Sequence, residues 1–179
     1  MKIKSAATAF PVVLIGVTLS ACSTYTHEPE GSTPALSSDY ASRIPQTIDT
    51  TEKVIVVDPR VHVWGAYDNG SLVKAGLASA GASYCPDLGK PCRTEVGTFR
   101  IHSLGTASCE SSIFPIPNGG APMPYCMYFN NGQALHGVSD NEVVEGNVSH
   151  GCVRMHVSDA EWVRYNFASI GTKVIIKPY

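Results

Sequence analysis

The sequence predicts a mostly β domain with one short helix near its C-terminal end. Three observations carry this expectation. Apolar runs of strand length are bounded by turn residues, as at Val54-Ile55-Val56-Val57 ahead of Pro59. Strong turn signals follow strand patterns at Asp68-Asn69-Gly70-Ser71 and at Asn131-Gly132, the favoured pair for a two-residue hairpin. Helical spacing appears after Ser158-Asp159-Ala160-Glu161, which has the form of a capping box.

Taken in order, Lys53–Asp58 opens the folded part as a buried strand. Val61, Val63 and Tyr67 alternate with His62 and Ala66, so a second strand with one buried face is expected, His62 on its polar side. Leu72–Ala78 returns as its hairpin partner, and Gly76–Pro91, dense in Gly, Ala, Ser and Cys, reads as loop. Val96–Ile101 restores a β pattern in which Gly97 permits close backbone approach; His102 behind it reads as a surface or structural histidine. Cys109–Pro124 is a turn-rich loop. Along Met123–Phe129, Met123, Tyr125, Met127 and Phe129 share one face. Gln133–His136 then returns and leaves His136 at a strand end, where an imidazole is held rigidly at a rim. Val138–Val148 is a polar loop carrying Asp140, Glu142 and Glu145. Ala160, Val163, Phe167 and Ile170 recur at helical spacing, Gly171 stops the helix, and Thr172–Ile176 is a last strand.

At 179 residues the chain has room for one ordinary domain and a leader. A formal net charge of −2, with no long basic block, gives nucleic-acid binding no electrostatic support. Residues 1–21 read as a signal peptide: Lys2 and Lys4 precede a mostly apolar stretch interrupted by Pro11 and Gly16. Leu19-Ser20-Ala21-Cys22 looks like a bacterial lipoprotein cleavage box, which would make Cys22 the lipidated first residue of the mature chain. A periplasmic location follows, with the membrane reached only through that lipid anchor; Ser23, by analogy with Gram-negative sorting, favours the outer membrane. Residues 22–51, rich in Ser, Thr, Pro and Glu, read as a flexible tether, and residues 52–179 as the folded domain.

Export permits disulfides. Of six cysteines, setting Cys22 aside leaves five, an odd number that requires a leftover thiol or an intermolecular bond. Cys85 and Cys92 bracket a short loop, and Cys109 and Cys126 a longer one, so these are the expected pairs, although four cysteines allow three connectivities. Cys152 is then free, within Ser149-His150-Gly151-Cys152-Val153-Arg154-Met155. A thiol attacks as its thiolate, a few per cent of the total near neutrality, so a neighbouring imidazole that takes the proton matters. Glycine beside the nucleophile allows a tight turn that aims backbone N–H groups at a developing oxyanion. His150, Cys152 and His156 do not match paired zinc-ligand spacings, and no metal is expected.

His136-Gly137 followed by Ser149-His150-Gly151-Cys152-Val153-Arg154-Met155 resembles the signature of the bacterial L,D-transpeptidase (YkuD-type) catalytic domain: a His, a variable loop, then Ser/Thr-His-Gly-Cys. Glu95-Val96-Gly97-Thr98-Phe99, Met123-Pro124-Tyr125 and Gly171-Thr172-Lys173-Val174-Ile175-Ile176 are similar to the same family, so the resemblance spans residues 52–179. Arg154 stands where many members have Asn, and the loop from His136 to Ser149 is short. The resemblance implies a mixed β-sandwich and a peptidoglycan L,D-transpeptidase acting on stem peptides. In that picture Cys152 forms the thioester and His136 moves the proton. The Gly137 carbonyl orients the imidazole, and the N–H groups of Gly151 and Cys152 hold the oxyanion. His150, Ser149, Arg154, Tyr125 and Met123 line the substrate channel, His150 as scaffold and wall rather than base. No cofactor is implied, and carbapenem-type β-lactams are expected inhibitors. Two other readings stay open: another cell-wall thiol amidase or peptidase, and a catalytically silent, disulfide-stapled lipoprotein in which Cys152 is buried or oxidised.

Overall fold

The computed structural model describes residues 38–179. The expected signal peptide, the expected lipidation site at Cys22 and the expected tether as far as residue 37 lie outside the described residues. The domain is two mixed sheets face to face, with one short helix against the second. β1 (Val54–Asp58), β2 (Val63–Asp68), β3 (Ser71–Leu77), β4 (Gly97–Arg100) and β9 (Lys173–Ile176) form a five-stranded sheet in the order β3-β2-β1-β9-β4. β5 (Ser103–Leu104), β6 (Met127–Asn130), β7 (Gln133–Val138) and β8 (Val153–His156) form the second, in chain order. β1 pairs parallel with β9 and antiparallel with β2, and β7 pairs parallel with β8. This is the mostly β domain that the sequence predicts and the mixed sandwich that the resemblance implies.

Side-chain alternation along each strand builds the core between the sheets. Ile55, Val57, Trp64, Val174 and Ile176 from the first sheet meet Met127, Leu135, Val153 and Met155 from the second. Fully burying such a side chain stabilises by about 1.5–3 kcal/mol, so this interface anchors the strands that present the site. The β6–β7 hairpin turns on Asn131 and Gly132, at φ 37° and 87°, as a two-residue turn with both central residues left-handed requires.

Several expectations are corrected. Within the described residues the tether is part of the fold. α1 (Ser38–Ser42) leads into a segment that bridges β3 at Thr47–Ser71 and buries Ala41 and Ile44 against Val54, Val56, Val63 and Tyr67. The Tyr67 hydroxyl donates to the Pro45 carbonyl at 2.7 Å. A few apolar residues suffice to cover the outer face of β1 and β2, and average composition hides them. For the same reason β2 is buried on both faces rather than one, and His62 sits before it at φ 54° rather than on a polar strand face.

The predicted helix is shorter than its apolar spacing: α2 (Val157–Trp162) widens into a π turn over Val163–Phe167. Val163 and Phe167 stay in the core, but Ile170 is exposed. His156, not Ser158, stands at the helix N-cap. Tyr125 adopts φ 60° in a turn, which breaks the alternation expected from Met123 onward, so the strand starts only at Met127.

Candidate active site

The parallel register of β7 and β8 sets Leu135 opposite Val153 and His136 opposite Arg154. With Leu135, Val153 and Met155 committed to the core, alternation turns His136, Arg154 and Cys152, one residue ahead of β8, toward the other face. There they line one cleft of about 770 Å³. Its walls are two disulfide-closed loops, Cys85–Cys92 and Cys109–Cys126, together with the loop that carries Ser139 and Glu142. Cys152 is the free cysteine among the described residues.

The turn before β8 is held from beneath. Ser149 N–H donates to the Ala80 carbonyl at 3.0 Å and Ala82 N–H to the Ser149 carbonyl at 2.8 Å, while Ser79 and Arg154 exchange backbone bonds. Buried Thr94 accepts from Gly81 N–H at 3.0 Å and donates to the Cys152 carbonyl at 3.5 Å. Gly151 takes φ 124°, a conformation that disfavours any side chain. Its N–H donates to Ser149 Oγ at 3.1 Å, and that hydroxyl donates in turn to the Cys152 carbonyl. Gly151 N–H is therefore spent inside the turn and is not a free oxyanion donor, contrary to expectation. No hydrogen bond engages Cys152 N–H among the described residues.

His136 is almost fully enclosed, and its Nδ1–H donates to the Gly137 carbonyl at 2.9 Å, which leaves Nε2 bare. Burial, aided by the Arg154 charge, pulls the imidazole pKa down to about 4, against the Gly137 bond and Glu142, which favour protonation. Gly137 also has no room for a side chain, because a Cβ there would lie 3.0 Å from Val157 Cα. Burial pushes the Cys152 thiol up; the Ala134 backbone N–H and Arg154 act in the opposite direction. The thiol donates to the Gly132 carbonyl, S···O 3.8 Å, and no hydrogen bond joins it to His136 among the described residues. The resting pair is thus neutral thiol and neutral imidazole on one strand face.

The other expected residues separate clearly. Arg154 lines the cleft and has no ion pair among the described residues. Ser149 and Met123 are buried at its wall. His150 lines it too, with Nε2 2.8 Å from Asp87 and its ring 4.7 Å from that of Phe114. Tyr125 is not in the cleft: its hydroxyl donates to Glu161 at 2.9 Å and its ring meets Tyr165 edge-on. His156 pairs with Asp140 instead of joining His150 and Cys152 in a metal set. Among the described residues one group, Cys85, Asp87 and His150, has metal-ligand spacing, but the Cys85 sulfur is held in a disulfide. Asp87, Phe114 and the Gly132 carbonyl were not legible as site groups; the first two reach His150 from separate loops with no local signal.

A free thiol one residue ahead of β8 and a bare imidazole nitrogen on β7 thus line one cleft of a two-sheet β domain. The YkuD family, the L,D-transpeptidase catalytic domain, matches residues 52–176, and the chain belongs to that family. The structure is similar to an L,D-transpeptidase from Xylanimonas cellulosilytica, with 25% identity, TM-score 0.61 and coverage of 75% of this chain and 65% of that one. An L,D-transpeptidase from Mycobacterium smegmatis matches at 24% identity and TM-score 0.58, over 71% and 59% of the two chains. L,D-transpeptidase 3 from Mycobacterium tuberculosis, solved with a faropenem-derived adduct, matches at 24% identity and TM-score 0.58, over 70% and 60%. The chain thus covers somewhat less than two thirds of these structures. No curated protein matches it.

Proposed function

We propose that the protein is a peptidoglycan L,D-transpeptidase working through a thioester on Cys152. The observation that carries this is the shared cleft face of an unpaired thiol and an imidazole whose Nε2 is free, in a chain of the YkuD family. The carbonyl of the third stem-peptide residue lies against Cys152, whose side chain turns from the Gly132 carbonyl toward His136. Because His136 is held neutral, the thiol proton moves to Nε2 as the sulfur attacks, and no ion pair forms beforehand. His136 then returns the proton to the departing amine of the terminal D-alanine. The Gly137 carbonyl keeps the reactive nitrogen pointed into the cleft throughout.

Cys152 N–H is the oxyanion donor on this reading, and such a donor lowers the barrier by about 3–4 kcal/mol where one has been removed. Arg154 supplies an unpaired guanidinium along the strand, placed to hold a stem-peptide carboxylate by two parallel hydrogen bonds and to favour the thiolate as it forms. Ser149 stiffens the turn, and Met123 and His150 form the wall. An amine acceptor gives a cross-link or a protein attachment; water gives L,D-carboxypeptidase activity. A half-buried free thiol counts against a silent lipoprotein with an oxidised or buried Cys152. Lipidation at Cys22 would keep the domain in the periplasm, at the outer membrane. Digestion of purified muropeptides, read by mass spectrometry, tests the assignment. Loss of terminal D-alanine from tetrapeptides by the wild type and not by Cys152→Ala is expected; cleavage of another bond overturns it.

A further inference from the structure

We propose that Asp87 and His150 form a second acid–base pair of the cleft, in which His150 takes the proton of the acceptor amine as that amine attacks the Cys152 thioester. This rests on the acyl-transfer reading above and assigns its second half-reaction.

A carboxylate only accepts hydrogen bonds, so the 2.8 Å contact to Asp87 places the proton of the neutral His150 ring on Nε2. The lone pair is then on Nδ1. That atom has no hydrogen-bond partner among the described residues and is not among the buried unpartnered atoms, so it is open to solvent. His150 lies two residues from Cys152 and lines the same cleft. The ring is held from two directions, by Asp87 of the Cys85–Cys92 loop and by Phe114 of the Cys109–Cys126 loop. Carboxylate, imidazole and an accessible nitrogen in the cleft that holds the nucleophile is the arrangement by which an acid orients a general base and steadies the imidazolium it becomes.

The division of labour follows from exposure. His136 is enclosed, whereas the His150 side chain is 32% exposed and so within reach of an acceptor arriving from solvent. The amine nitrogen bonds to the thioester carbonyl carbon while one of its protons passes to His150 Nδ1. The C–S bond then breaks, sulfur leaves as thiolate, and the proton on His150 returns to it. Thioester and amine become amide and thiol, with nothing oxidised or reduced. His150 is the catalytic residue of this step and Asp87 its positioning residue.

The test separates the two half-reactions on the full chain, with a synthetic tetrapeptide stem as donor and free diaminopimelate as acceptor. Intact mass after rapid quenching reads acyl-enzyme formation, and its decay against acceptor concentration reads aminolysis. Asp87→Ala is expected to acylate within about twofold of wild type and to lose at least about tenfold in aminolysis. Asp87→Asn, which keeps an accepting oxygen without the charge, should recover part of that loss; it also serves if the alanine variant folds poorly. Unchanged aminolysis, or equal losses in both steps, overturns the proposal and leaves Asp87 as wall structure. Failure of the wild type to acylate at all would instead strike the transpeptidase reading.

Discussion

Acidification should destabilise this domain through His136 in a way that one substitution isolates. Burial holds the folded-state pKa near 4, against 6.5 for the ordinary side chain. Between those values the unfolded chain binds a proton that the folded chain refuses, so stability rises with pH across the window and is lost as pH falls through it. The full effect, about 1.4 kcal/mol per unit, approaches roughly 3 kcal/mol below pH ~4, and roughly 2 kcal/mol of it is already gone at pH ~4.5. Urea unfolding of wild type and His136→Gln at the two ends, near neutrality and near pH ~4.5, gives the difference of differences. That cancels the cost of the substitution and the titration of every carboxylate common to both chains. Wild type should lose roughly 2 kcal/mol more than the variant. Equal losses would refute the claim that the imidazole is kept neutral by its surroundings, and with it the absence of a preformed ion pair.

Three further outcomes follow from the packing. Gly151→Ala places a side chain at φ 124° and should cost about 1–3 kcal/mol while slowing alkylation of Cys152; unaltered melting and iodoacetamide labelling would count against a strained turn. Ile44→Ala removes a buried side chain that seals the arm over β1 and β2, so a loss of about 2–5 kcal/mol in urea unfolding is expected, and less than about 1 kcal/mol would mean the arm is not part of the fold. Cys109→Ser with Cys126→Ser opens a loop of sequence separation 17, for which chain entropy gives a loss of about 3 kcal/mol; an unchanged denaturation midpoint would show that the bridge does not constrain the unfolded chain.

Much of the site was readable because local rules and long-range placement agreed. Asn131-Gly132 dictates a turn with both residues at positive φ, and that turn alone delivers His136 along β7. Gly151 and Cys152 advertise themselves by type and order. Elsewhere, distant residues decide. β2 looked half-exposed because the residues covering it, Ala41 and Ile44, belong to a polar-looking segment. Tyr125 looked like a strand residue on the channel wall, but its positive φ and its bond to Glu161 carry it elsewhere. Gly151 N–H looked free because nothing in a string of letters shows that Ser149 Oγ turns back to accept it. Asp87 was invisible for the same reason, since only the folded loops bring it to His150.

The most direct test of the central claim is peptide mapping of the protein after incubation with a carbapenem. A single β-lactam adduct on Cys152 is expected, formed far more slowly in His136→Ala and absent in Cys152→Ala. An unmodified Cys152, or an adduct that persists once that sulfur is gone, would contradict the account.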